Sequence, residues 1–130
     1  MRVYLVRHAE AAPGEPDDLR PLTSAGRASA RELGTRLAAE GIQPGIVLTS
    51  PLLRARETAG ELGRALDSGV EADERLAPGA TTESLREAVA DRGEEVVVVG
   101  HQPDCGRIAA ELSGGAEPPF PPAGLAVLEL

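Results

Sequence analysis

The chain has two histidines, and both follow an apolar, largely β-branched run: Val3-Tyr4-Leu5-Val6-Arg7-His8 near one end and Val96-Val97-Val98-Val99-Gly100-His101 near the other. Each run reads as a strand that delivers an imidazole to its C-terminal tip. In open α/β sheets ligands bind outside the strand C-termini, so two such tips can share one pocket although they are far apart in sequence. Either histidine alone reads as an ordinary strand-end residue. Their surroundings point to more. Arg7 stands beside His8, and Arg54 lies one turn into a helix expected to start at Ser50-Pro51. The amino ends of that helix and of one starting at Pro103 present unpaired backbone N–H groups to the same edge. Two arginines, two histidines and helix amino ends suit a tetrahedral dianion, with phosphate the obvious occupant. A neutral imidazole in that field can attack phosphorus, while the guanidinium groups offset charge gathering on the equatorial oxygens.

Such a pocket needs a sheet to carry it. Strand-like and helix-like segments alternate with short breaks, the pattern of an α/β fold with a mostly parallel central sheet between helical layers. Arg2–Val6 is the first strand, followed by a polar, acidic loop from Ala12 to Pro21 that reads as solvated. A helix spans about Ser24 to Glu40: Thr23 or Ser24 caps it, Ala30, Leu33 and Leu37 share a face, and Gly41 stops it. Ile46-Val47-Leu48 is a short strand. Ser50 is expected to cap the next helix, with Pro51 at its first position and its end near Leu66. Val70–Glu74 is a weaker strand, and Thr81 or Thr82 starts a helix to about Asp91. Glu95–Gly100 is the most apolar strand and therefore central. The helix from Pro103 ends at Gly114-Gly115. Pro118, Pro119, Pro121 and Pro122 then form a stiff connector to a last strand, Leu125–Leu130.

Composition narrows the chemistry. At 130 residues the chain is expected to be one domain, 1–130, with room for a core and a site but little for a lid. A net charge of −8 argues against nucleic acid or an anionic membrane as partner. All 13 positive residues are arginines, which excludes a Walker-type phosphate loop, Schiff-base chemistry and a lysine base. Arginine's planar fork suits oxyanions instead. One cysteine, no signal-like N-terminus and no run near the roughly 20 apolar residues of a membrane span make the cytoplasm the expected compartment. No metal and no cofactor is expected, since there is no His-x-x-x-His pair and no Asp-x-Asp motif. Cys105 invites a cysteine-phosphatase reading, but that chemistry wants a five-residue anion loop before its arginine, and Arg107 follows after only two. A small buried helix residue is the better reading of Cys105.

At this point the residues resemble the histidine phosphatase (phosphoglycerate mutase-like) superfamily. Arg7-His8-Ala9-Glu10 matches its opening Arg-His-Gly/Ala-Glu, and Leu22-Thr23-Ser24-Ala25-Gly26 its Leu-Thr-x-x-Gly segment. Ser50-Pro51-Leu52-Leu53-Arg54-Ala55-Arg56-Glu57-Thr58 matches its Ser-Pro-x-x-Arg-Ala-x-x-Thr stretch, and Gly100-His101 its second histidine. The resemblance implies a three-layer α/β/α sandwich and a metal-independent phosphatase. It further implies that His8 becomes phosphorylated, with Arg7, Arg54 and His101 holding the phosphoryl group. Ser50 is expected among the substrate-binding residues beside them.

Family members acting on alkyl phosphates carry a leaving-group acid in a Leu-x-Glu context after the third strand, where this chain reads Leu76-Ala77-Pro78. Glu74 and Glu83 flank the gap and stand as substitutes. Without an acid the leaving group must be a good one. Imidazole qualifies, with a conjugate-acid pKa of about 6.5, whereas an alkoxide resembles hydroxide from water at ~15.7. Short length, Gly100-His101-Gln102-Pro103 and the Gly/Pro-rich stretch before Leu125 resemble the SixA-type phosphohistidine phosphatase branch. The implied partner is a phosphohistidine protein. A small phosphorylated metabolite is the alternative substrate, and a non-catalytic phosphoprotein-binding module is the reading from another class. Glu10 is either a signature residue without catalytic duty or one that orients water.

Overall fold

The computed structural model describes residues 1–130. Nine elements follow one another: β1 (Arg2–Arg7), α1 (Ser24–Ala39), β2 (Ile46–Thr49), α2 (Leu53–Leu66), β3 (Val70–Ala72), α3 (Thr82–Val89), β4 (Glu95–Gly100), α4 (Asp104–Ser113) and β5 (Leu125–Glu129), with short 3-10 turns at Asp17–Leu19 and Glu74–Leu76. The strands form one sheet in the order β3-β2-β4-β1-β5. β1 to β4 are parallel, and β5 runs antiparallel along β1. The α/β sandwich with a mostly parallel sheet is therefore the observed fold. No helix is long and apolar enough to cross a membrane.

The valine run of β4 explains its place in the middle of the sheet. Val96 and Val98 pack with Val3, Leu5 and Leu48 beneath α3 and α4, while Val97 and Val99 pack with Tyr4, Val6 and Val47 beneath α1 and α2. Such a strand is buried on both faces, so its sequence shows no alternation. Each buried valine contributes about 1.5–3 kcal/mol, which makes β1 and β4 rigid supports for the residues at their tips.

The start of α1 is built by the Leu-Thr-x-x-Gly segment. Thr23 accepts the Gly26 N–H at 2.9 Å and donates its hydroxyl to the Glu10 carboxylate at 2.7 Å. Its own N–H reaches the Glu10 carbonyl at 3.0 Å. A Cβ on Gly26 would lie 2.1 Å from that carbonyl oxygen, so this approach requires glycine. Glu10 thus ties the chain after β1 to the amino end of α1.

Several boundaries differ from the sequence expectation: β1 takes in Arg7, and α4 starts at Asp104 with Pro103 ahead of it. α2 begins at Leu53 and not at Pro51, because Ser50 turns its hydroxyl back to accept the Leu52 N–H and Leu52 becomes the extended residue before the helix. β3 stops at Ala72, where Asp73 caps the following turn by accepting the Arg75 N–H. α3 ends at Val89, ahead of Asp91 and Gly93 with positive φ. β5 ends at Glu129.

Candidate active site

The parallel pairing of β1 with β4 puts Arg7 opposite Gly100, and the His8 N–H donates to the Gly100 carbonyl at 3.0 Å. Both imidazoles therefore leave the sheet at one edge, with ring centroids 5.2 Å apart and planes tilted by 57°. His8 Nδ1 lies 2.7 Å from the Ala9 carbonyl oxygen. A carbonyl only accepts, so Nδ1 carries the proton and the lone pair sits on Nε2. Thr58 holds this geometry from α2: its hydroxyl accepts the Ala9 N–H at 3.0 Å and donates to the Arg54 carbonyl at 2.8 Å. His101 is buried, and its Nε2 contacts the Ser50 hydroxyl at 2.8 Å.

Both arginines expected at the pocket are there. Arg7 donates from Nη1 to the Phe120 carbonyl at 2.9 Å, while its buried Nε has no partner. An unpartnered buried guanidinium donor is costly unless something arrives to accept from it, and an oxyanion is the natural acceptor. The proline-rich connector thus does more than join two elements, because it supplies the carbonyl that orients Arg7. Arg54 is buried on the first turn of α2. Its Nη1 and Nη2 donate to the main-chain oxygen and the carboxylate of Asp17, at 2.9 and 3.2 Å.

Burial first, and then the charges of Arg54, Arg7 and Arg20, lower the His8 pKa, although the Ala9 hydrogen bond works the other way. Burial, His8 and Arg54 push His101 down to about 4. Both rings are neutral at pH 7, the form in which an imidazole is a nucleophile or a hydrogen-bond partner for a protonated phosphoryl oxygen. The Asp17 carboxylate acts on His101 in the opposite sense to the arginines, and Glu74 and Glu83 are exposed. The Ala77–Ala80 loop, which spans the position where the family's leaving-group acid would stand, is fixed by the Asp104 carboxylate. That carboxylate accepts the Gly79 and Ala80 N–H groups at 2.8 and 3.2 Å.

Two expectations need correcting. Ser50 is fully buried, and its Oγ is committed to His101 and the Leu52 N–H, so it reaches the pocket through His101 and not as a free hydroxyl. The amino end of α4 also lends less than expected. The N–H groups of Cys105, Gly106 and Arg107 already go to the His101 carbonyl, the Gln102 side chain and the Pro103 carbonyl. Cys105 itself is a core residue whose thiol burial pushes up to about 12. No three His, Cys, Asp or Glu side chains are grouped to hold a metal ion.

The family model of the histidine phosphatase superfamily (branch 1) matches residues 3–78. The chain belongs to that superfamily. Among histidine phosphatases, phosphohistidine phosphatase SixA of Escherichia coli is 33% identical over 127 residues, spanning 92% of this chain and 79% of that protein. The structure of the protein histidine phosphatase SixA complexed with tungstate superposes with a TM-score of 0.90 at 31% identity, covering all of this chain and 88% of the other. Bacillus stearothermophilus YhfR, at 23% identity and a TM-score of 0.75, shares the fold. Membership makes this chain a histidine phosphatase, and the geometry shows which side chains meet at the sheet edge. Two of them are not evident from sequence, since Asp17 and Arg20 lie in a loop whose polarity reads as solvation; Thr58 closes the matched Ser-Pro-x-x-Arg-Ala-x-x-Thr stretch, and its contact with Ala9 gives it a role that the motif alone does not. The signal for Asp17 and Arg20 is the pairing of opposite charges three residues apart in a stretch closed by Pro21.

Proposed function

We propose that this histidine phosphatase hydrolyses phosphohistidine on a protein through a phospho-His8 intermediate. The observation that carries the reading is a His8 Nε2 left free by the contact of Nδ1 with the Ala9 carbonyl, in a field of arginines, with Pro78 standing where the family's leaving-group acid would be. In the first step Nε2 attacks phosphorus and the P–N bond of the substrate breaks. The departing imidazole takes the electron pair, and it leaves neutral from the phosphoimidazolium form of the substrate, in which its second nitrogen carries a proton. Water then displaces His8 from phosphorus, which yields inorganic phosphate and restores the neutral ring. Arg7 and Arg54 bind the phosphoryl oxygens, with the unpartnered Arg7 Nε as one donor. His101, fixed by Ser50, meets the same oxygens through its neutral ring.

Removal of one preorganised donor such as Arg54 costs on the order of 2.7–4 kcal/mol in transition-state stabilisation. The positive charge comes from side chains, so no metal is required for any step. The cytoplasm is the compartment proposed for this activity. Phosphate release from a phosphohistidine protein, an aryl phosphate and an alkyl phosphate, assayed side by side, tests the reading. Phosphohistidine and aryl phosphate should turn over far faster than alkyl phosphate. Equal rates on alkyl and aryl esters would favour a small-molecule phosphomonoesterase, with Glu74 or Glu83 as the first candidates for its proton donor.

A further inference from the structure

The loop between β1 and α1 is a closed strap. Its neck is pinned by the Ala11–Leu22 bridge and by the Ala12 N–H donating to the Pro21 carbonyl at 2.8 Å. At its tip Asp17 uses three acceptors on two arginines. The main-chain oxygen and Oδ2 take Arg54 Nη1 and Nη2, and Oδ1 takes Arg20 Nη1 at 3.0 Å. Arg20 is tied back in turn, with its Nε donating to the Ala12 carbonyl at 2.8 Å. Arg54's side chain is 9% exposed while that of Asp17 is 64% exposed, so the buried partner is the one being held.

An arginine side chain has much rotamer freedom to lose at any site, and its donors help a transition state only when they are aimed before it forms. A guanidinium has five N–H groups. Asp17 occupies one on each terminal nitrogen, which leaves the Nε–H and one N–H on each terminal nitrogen for an anion. Clamping and phosphoryl binding are therefore compatible. A placeholder anion, by contrast, would need to be expelled, yet one of the two contacts to Arg54 is a neutral main-chain oxygen that mimics no phosphate. We propose that Asp17 is a positioning residue for Arg54, fixed in its turn by Arg20. The inference rests on the proposed role of Arg54 in holding the phosphoryl group.

A double-mutant cycle on the affinity for inorganic tungstate, measured by titration calorimetry on the full chain, tests it. Asp17→Ala should weaken tungstate binding by about tenfold, within the range of couplings between residues in contact. In the Arg54→Ala background the same change should have no effect, because there is no guanidinium left to aim. Asp17→Asn, which keeps the main-chain oxygen and one side-chain acceptor, should retain most of the affinity, and melting temperatures of all variants establish that they are folded. Unchanged or tighter binding in Asp17→Ala would overturn the proposal, and tighter binding would make Asp17 a competing anion. Equal weakening in both backgrounds would overturn it too, by showing a general effect on the strap. If Arg54→Ala alone binds tungstate like the parent, the reading of the site itself fails, and the inference with it.

Discussion

Acidification from pH 7.5 to 4.5 should cost this protein stability, with His101 responsible for much of the loss. The ring is 5% exposed, and burial, with His8 and Arg54 beside it, lowers its pKa from 6.5 to about 4. Above pH 6.5 the folded and unfolded chains both carry a neutral ring, and the shift contributes nothing. Between 6.5 and 4 the unfolded chain takes up a proton that the folded chain excludes, so stability falls as pH falls. At 1.36 kcal/mol per pKa unit the full penalty is about 3 kcal/mol, most of it reached by pH 4.5. His8, also lowered by burial, adds to the loss with the same sign. The carboxylates of Asp17, Glu61 and Asp73 are held below their ordinary values of 3.8, 4.5 and 3.8, so the stability they contribute is lost only as pH falls below those values. The interval from pH 6.5 to 4.5 therefore isolates the histidines. Urea unfolding at four pH values on the parent and on His101→Gln measures the effect. The glutamine keeps a polar partner for Ser50 and cannot titrate. The parent should lose about 2–3 kcal/mol across the window, and the variant should lose roughly 2 kcal/mol less, the residue being due to His8. Parallel losses in the two proteins would refute the reasoning.

Gly26→Ala should destabilise the fold by about 1–3 kcal/mol in urea unfolding, as overpacking does, because the Glu10 carbonyl that the new methyl meets is main chain and cannot swing aside; parent-like stability would mean that the β1–α1 junction yields. Phosphatase activity should be unchanged by EDTA, since arginines supply the positive charge in the pocket. Activity lost in chelator and restored by a divalent ion would contradict the proposed mechanism.

Much of this site is legible in the sequence because its supports are regular structure. The Val96–Val99 run cannot face water on either side, which puts β4 at the centre of the sheet and His101 at its tip. Thr23 carries a helix start in its chemistry, Gly26 is marked by the family resemblance, and the structure shows that the glycine admits the Glu10 main chain. The misreadings come from side chains that bond to something distant in sequence. Ser50 resembles a helix cap because serine before proline usually is one, yet its hydroxyl serves His101, which lies just past the end of the neighbouring strand β4. Asp17 and Arg20 resemble solvated charges in an acidic loop, and only the folding of the strap over α2 reveals that Arg54 is their partner. The role of Phe120 is invisible for a simpler reason: it acts through its carbonyl, which every residue has.

Rapid-quench trapping during turnover of a phosphohistidine protein is the most direct test of His8 as the nucleophile. The parent should accumulate acid-labile, base-stable phosphate on the peptide containing His8, at up to one equivalent per chain, and His8→Ala should form none and release no phosphate. Normal hydrolysis by His8→Ala, or turnover of the parent with phosphate passing directly to water, would contradict covalent catalysis by His8.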